Sequence, residues 1–205
     1  MRIIKKRFIY LISPNKINST FYEDLHKIFK LNKVEIFQLR LKKSNIKKTV
    51  LIAKKIKILC KKYKVKFLIN DNPAIAKIVG ADGCHLGQGD CSVLNARKVL
   101  KNKIIGVTCH NSIKLVRKAI SDGADYVAIG AFFNTKTKKV KFKANLSLIT
   151  KLKVFLKIPL VVIGGINSRN YQKLILHKPN FLAISSYVWK NKKLNPLEAI
   201  RNINL

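Results

Sequence analysis

The chain has 205 residues, enough to bury one substantial core without help from a second, and residues 1–205 read as a single domain. Its 43 Lys and Arg against nine Asp and Glu give a net charge of +34, but the lysines interleave with Ile and Leu, as in 54–64. That pattern is a solvated, amphipathic helix surface rather than a dedicated nucleic-acid face, and no apolar run approaches the roughly 20 residues of a membrane span.

The first apolar run, Phe8 to Ile12, follows several basic residues but is too short for a signal peptide and lacks a small-residue cleavage site. No chemistry follows it, so it reads as scaffold. The second run, Val34 to Phe37, leads into Gln38, Arg40 and Lys42. Arg40 and Lys42 alternate with Leu39 and Leu41, which turns both cationic side chains to one side of an extended segment, where an anion can be held. After a helical stretch, Thr49 to Tyr63, the third run is Phe67 to Ile69, followed at once by Asn70 and Asp71. The fourth, Gly83 to Leu86, precedes Gln88 and Asp90. Asp71 and Asp90 at neighbouring strand tips can converge on one Mg2+, which takes one or two carboxylates together with water and substrate phosphate.

A helical stretch, Ser92 to Leu100, separates these from the fifth run, Ile104 to Val107, which ends in Thr108 and His110. Ser112 to Ser121 is helical, the sixth run is Tyr126 to Ile129, and Thr135, Thr137 and Lys138 supply two hydroxyls and a cation behind it. Beyond the helical Leu146 to Phe155, the seventh run, Leu160 to Ile163, ends in Gly164 and Gly165, and the eighth, Phe181 to Ile184, ends in Ser185 and Ser186. Strand and helix alternate, and the strands are apolar on both faces, which predicts a parallel sheet covered by helices. Eight such units close most naturally into a (β/α)8 TIM barrel, with a doubly wound open sheet as the alternative. In a barrel, the loops after strands seven and eight are a recurrent phosphate site.

Two segments echo each other: AKIVGADG at Ala76 to Gly83 and AISDGADY at Ala119 to Tyr126. Each glycine stands where a helix ends, and Asp82 and Asp125 fall just before strands, at the end away from the polar loops, as structural turn residues. His85 and His110 lie near Cys84, Cys91 and Cys109, but the spacings fit no zinc motif, and His85 is inside a strand. Cys84 and Cys109 read as core, and His110 as a polar contact or proton carrier. With Cys60 there are four cysteines and no CxxC, which points to a reducing, cytoplasmic setting.

QLRLK at Gln38 to Lys42, ND at Asn70 and Asp71, GADGCHLGQGD at Gly80 to Asp90, TKTK at Thr135 to Lys138 and IGGI at Ile163 to Ile166 together resemble the thiamine-phosphate synthase family, over nearly the whole chain. The resemblance implies a cytoplasmic transferase that uses Mg2+ to join hydroxymethylpyrimidine diphosphate to hydroxyethylthiazole phosphate. It implies Asp71 and Asp90 as metal ligands, and Gln38, Arg40, Lys42, Asn70 and Lys138 around the pyrimidine diphosphate. Thr108 stands where the family usually has serine. Thr135, Thr137, Gly165, Ile184 and Ser185 would meet the thiazole phosphate. The implied mechanism is dissociative, with Arg40, Lys42 and Lys138 stabilising the departing diphosphate. Ala131 and Asn134 replace prolines common in the family, which bears on loop stiffness. The rivals are a thiazole tautomerase of the same fold, which handles no diphosphate, and a nucleic-acid-binding protein using the positive charge. The expected partners are small phosphorylated substrates, with no membrane; a homo-oligomer is compatible with the sequence.

Overall fold

Eight parallel strands follow one another around a closed barrel in chain order. They are β1 (Ile9–Ile12), β2 (Val34–Leu39), β3 (Lys66–Asn70), β4 (Gly83–Leu86), β5 (Ile104–His110), β6 (Tyr126–Gly130), β7 (Leu160–Ile163) and β8 (Phe181–Ile184). The computed structural model describes residues 8–42, 44–135 and 142–204. Connecting or flanking the strands are α1 (Phe21–Lys30), α2 (Ile46–Tyr63), α3 (Pro73–Val79), α4 (Val93–Leu100), α5 (Ile113–Ser121), α6 (Leu146–Lys153), α7 (Tyr171–Ile175), α8 (Ser186–Trp189) and α9 (Pro196–Arg201). The closed barrel, rather than the doubly wound sheet, is the architecture. Among the described residues no helix is long and apolar enough to cross a membrane.

The double-sided apolar strands have a simple cause. Ile9, Leu11, Phe37, Phe67, Ile69, Val127 and Leu182 point outward into one large cluster with the helices, while Tyr10, Ile12, Ile36, Leu68, Tyr126, Ala128, Val161 and Ala183 fill the barrel interior. Successive strand residues face opposite sides, so both layers draw on the same runs. Helix starts are set by side chains: Ser92 accepts from the Asn95 amide and Ser112 from the Leu115 amide, so these serines cap α4 and α5 instead of forming their first turns. Gly80 closes α3 in the left-handed conformation, with φ of 63°, as the AKIVGADG echo predicts.

The echoed aspartates fasten the lower rim. Asp82 accepts from the Phe67 amide at 2.7 Å, and Asp125 from the Ile105 amide at 2.7 Å and from Arg97 at 2.7 Å. Asn180 repeats the contact to the Leu160 amide at 2.8 Å. Thus the residue before β4, β6 and β8 ties down the start of β3, β5 and β7.

Candidate functional site

At the opposite, C-terminal end of the strands lies a cavity of about 490 Å³. Its wall contains the predicted Gln38, Arg40, Lys42, Asn70, Asp71, Asp90, Thr108, Thr135, Gly165, Ile184 and Ser185. Thr137 and Lys138 lie in 136–141, outside the described residues.

One wall is charged. The Arg40 amide donates to Ser13 Oγ at 2.9 Å, and its guanidinium donates to Asn15 Oδ1 at 3.0 Å, so the segment after β1 fixes Arg40 at both ends. Burial lowers the Arg40 pKa, and the nearby Asp71 carboxylate opposes that shift. Lys42 Nζ stands 3.8 Å from Asp71 Oδ2. Asp71 itself takes a left-handed backbone, with φ of 64°, and its amide donates to the His85 carbonyl at 2.8 Å. Desolvation, together with a hydrogen bond and charge repulsion from Asp90, raises the Asp71 carboxyl to about 6; Lys42 and Arg40 pull in the other direction. Asp90 is held from below by the Gly87 amide at 2.7 Å. Among the described residues no group of three or more His, Cys, Asp or Glu side chains gathers to hold a metal.

The other wall is close-packed backbone. Gly164 and Gly165 have φ of 109° and 65°, and a Cβ on either would collide with Ala131 or with the backbone of Phe133 and Asn134. Those contacts, with the Phe132 amide bonded to the Ile163 carbonyl and the Phe133 amide to the Gly164 carbonyl, hold the 131–134 segment where proline is missing. Phe142 packs on the His110 ring at 4.5 Å, and both line the cavity.

The floor holds what sequence reasoning missed. Tyr10 from β1, Tyr126 from β6 and His85 from β4 meet inside the barrel, and burial lowers the His85 pKa to about 4, so its imidazole is neutral at pH 7. Gly106 makes this possible, because a Cβ there would strike the Tyr126 ring. The first run is therefore more than scaffold: Ile12 lines the cavity, Tyr10 lies beneath it in contact with Gln38, and Ser13 and Asn15 position Arg40. The one available signal was a tyrosine at an inward position of an otherwise aliphatic run. Cys84 and Cys109 are core as expected, and burial raises both thiols, Cys109 to about 12, which leaves them unreactive.

Residues 9–188 match the family profile of thiamine monophosphate synthase. The thiamine-phosphate synthase of Pelagibacter ubique is 59% identical over 201 residues, covering 98% of this chain and 97% of that protein. The thiamine-phosphate synthase of Erythrobacter litoralis is 38% identical, covering 93% and 92%. Among solved structures, a thiamine phosphate pyrophosphorylase from Pyrococcus furiosus superposes with a TM-score of 0.84 at 26% identity, covering 97% of this chain and 94% of that one. A 3-hexulose-6-phosphate synthase, at 16% identity and a TM-score of 0.65, shares the fold.

Proposed function

The chain belongs to the thiamine monophosphate synthase family and is a transferase, and on that premise we propose that it condenses hydroxymethylpyrimidine diphosphate with hydroxyethylthiazole phosphate to give thiamine phosphate and diphosphate. The observation that carries this reading is a single cavity with a cationic, dicarboxylate wall facing a glycine- and serine-lined wall. Such a cavity suits two phosphorylated molecules held side by side. A tautomerase would have no use for the first wall.

Asp71 and Asp90 fit Mg2+. Burial, with Asp90 beside it, raises the Asp71 carboxyl to about 6, an arrangement that a divalent ion would relieve, and Mg2+ needs no more than two carboxylates when water and phosphate complete its shell. The ion would supply charge neutralisation to the diphosphate as it leaves. The chain's own residues do the rest. Arg40 and Lys42 bind the leaving group and stabilise its growing negative charge, a role Lys138 shares by its place in the sequence. The bond from the pyrimidine methylene to diphosphate breaks first, and the thiazole nitrogen then donates its electron pair to the resulting cation. Gln38 and Asn70 orient the pyrimidine side, while Gly165, Ser185 and Thr135 hold the thiazole phosphate beside it. Ile12, Ile163, Ile166 and Ile184 line the same cavity and limit the water that would otherwise capture the cation. No general base is required, in keeping with a site whose buried histidine, lowered to about 4, is a weak base and whose nearby thiols are unreactive. The four free cysteines support a reducing, cytoplasmic setting.

The direct test mixes both precursors with enzyme and Mg2+ and measures thiamine phosphate and diphosphate. Equimolar products are expected, and Asp71→Asn should lose Mg2+-dependent turnover while keeping the fold by circular dichroism. Full activity in that variant would remove the metal assignment, and no product from the parent enzyme would remove the synthase reading.

A further inference from the structure

Six side chains form an unbroken hydrogen-bonded chain across the barrel floor. Asn70 Oδ1 is 2.6 Å from Gln38 Nε2, Gln38 Oε1 is 3.1 Å from Tyr10 Oη, and Tyr10 Oη is 2.8 Å from Tyr126 Oη. Tyr126 Oη is 2.7 Å from His85 Nδ1, and His85 Nε2 is 2.8 Å from Thr108 Oγ1. The ends, Asn70 and Thr108, line the cavity; Tyr10 and Tyr126, in the middle, do not.

Each phenol has one proton, and a neutral imidazole has one N–H. Those limits tie all five bonds together. With the Gln38 amide as it stands, Tyr10 donates to Gln38, Tyr126 donates to Tyr10, and His85 donates from Nδ1 to Tyr126. His85 Nε2 is then bare and takes the Thr108 proton. Thr108 offers a ligand only lone pairs. Turning over the Gln38 and Asn70 amides reverses every bond: His85 carries its proton on Nε2, donates to Thr108, and frees the Thr108 hydroxyl to donate into the cavity. A mixture of the two directions would leave a buried oxygen pair without a proton or with two, which the interior disfavours.

We propose that Gln38, Tyr10, Tyr126 and His85 form a two-state relay that sets the hydrogen-bonding polarity of Thr108, and that a phosphate-type anion beside Thr108 selects the His85 Nε2–H state. Tyr10, Tyr126 and His85 are positioning residues, since they act on the ligand through Thr108 and Gln38. The proposal rests on the synthase reading only for the identity of the anion, and its test requires no turnover.

The experiment follows the His85 imidazole nitrogens by 15N NMR in the whole protein, assigned by their loss in His85→Gln, with and without inorganic diphosphate. The free protein is expected to show the Nδ1–H tautomer and the diphosphate-saturated protein the Nε2–H tautomer. In Tyr126→Phe, His85 loses its Nδ1 partner and stays Nε2–H in both conditions. Because that variant is locked in the donor-presenting state, it should bind diphosphate at least as tightly as the parent, whereas a merely structural role for Tyr126 would weaken binding. An unchanged tautomer in the parent overturns the proposal, as does a switch that persists in Tyr126→Phe or weaker diphosphate binding by a folded Tyr126→Phe protein. Tyr10→Phe gives a second break in case Tyr126→Phe does not fold: His85 Nδ1 is then the one acceptor left for the Tyr126 proton, and the free protein should show Nε2–H in place of Nδ1–H. A retained Nδ1–H form in Tyr10→Phe also counts against the relay.

Discussion

Asp71 shows how a residue proposed to bind a metal can oppose stability. Its carboxyl is raised to about 6 in the fold against 3.8 for the ordinary side chain, because burial and Asp90 both disfavour its charge. The folded state therefore binds the proton more tightly than the unfolded state. Between about pH 4 and pH 6 the native protein holds more protons, so this group makes stability fall as pH rises, and the cost is constant above about 6. Asp71→Asn removes the titration. In protein stripped of divalent ions, the variant should be more stable than its parent at pH 7, and the excess should shrink progressively below pH 6. Asparagine also tolerates the left-handed backbone at this position, which adds a pH-independent offset. Denaturant unfolding in chelator at a series of pH values checks this; a parent-to-variant difference that is the same at pH 4 and pH 7 would show that Asp71 is not strained by its neighbours.

At the level of elements, the rim fasteners predict a separation of stability from chemistry. Asp82→Ala takes the acceptor from the Phe67 amide, a loss of roughly 1–3 kcal/mol. Since Asp82 sits at the end of the barrel away from the cavity, turnover per folded molecule should be unchanged. Asp82→Asn keeps an acceptor and should recover most of the stability, both readable from denaturant midpoints. These aspartates were legible because ADG and ADY repeat at the same point of alternate units, before β4 and β6, and a repeat carries its own alignment. The strands were legible for a related reason: in β3 and β6, burial on both faces makes the run apolar, and polar residues at a strand tip, such as Asn70 and Asp71 at the end of β3, stand out against it. Tyr10 and Tyr126 gave no such contrast. Their hydroxyls meet across 116 residues of chain, and the space for Tyr126 exists because Gly106 on the adjacent strand has no side chain. Periodicity says that a side chain points inward; it does not say which residue it meets there. His85 was read as a strand residue, which it is, yet its inward direction makes it part of the site.

Across the whole molecule the net charge is +34, and seven of the nine acids are already engaged locally or face the cavity. Asp71 and Asp90 face the cavity, Asp82 and Asp125 hold the rim, Glu23 pairs with Lys27, Asp122 with Lys118, and Glu198 closes the capping box of α9. What remains is a broadly cationic surface around a cavity whose proposed substrates are both anions. Such a field draws anions in over about a Debye length, roughly 30 Å at about 0.01 M salt and roughly 3 Å at about 1 M. Whether association or equilibrium binding limits the reaction at low substrate, the attraction enters kcat/KM and is spent once the substrates are bound. At fixed Mg2+, kcat/KM should therefore fall by roughly tenfold or more as ionic strength rises across that range, with kcat nearly constant. A kcat/KM insensitive to salt would leave the lysines as solvated helix surface, the reading their interleaving with Ile and Leu suggests on its own. If instead the charge serves nucleic acid, binding to DNA or RNA should be tight, steeply salt-dependent and unaffected by Asp71→Asn. Substrate steering and nucleic-acid binding thus share a dependence on salt but separate on whether it appears in kcat/KM.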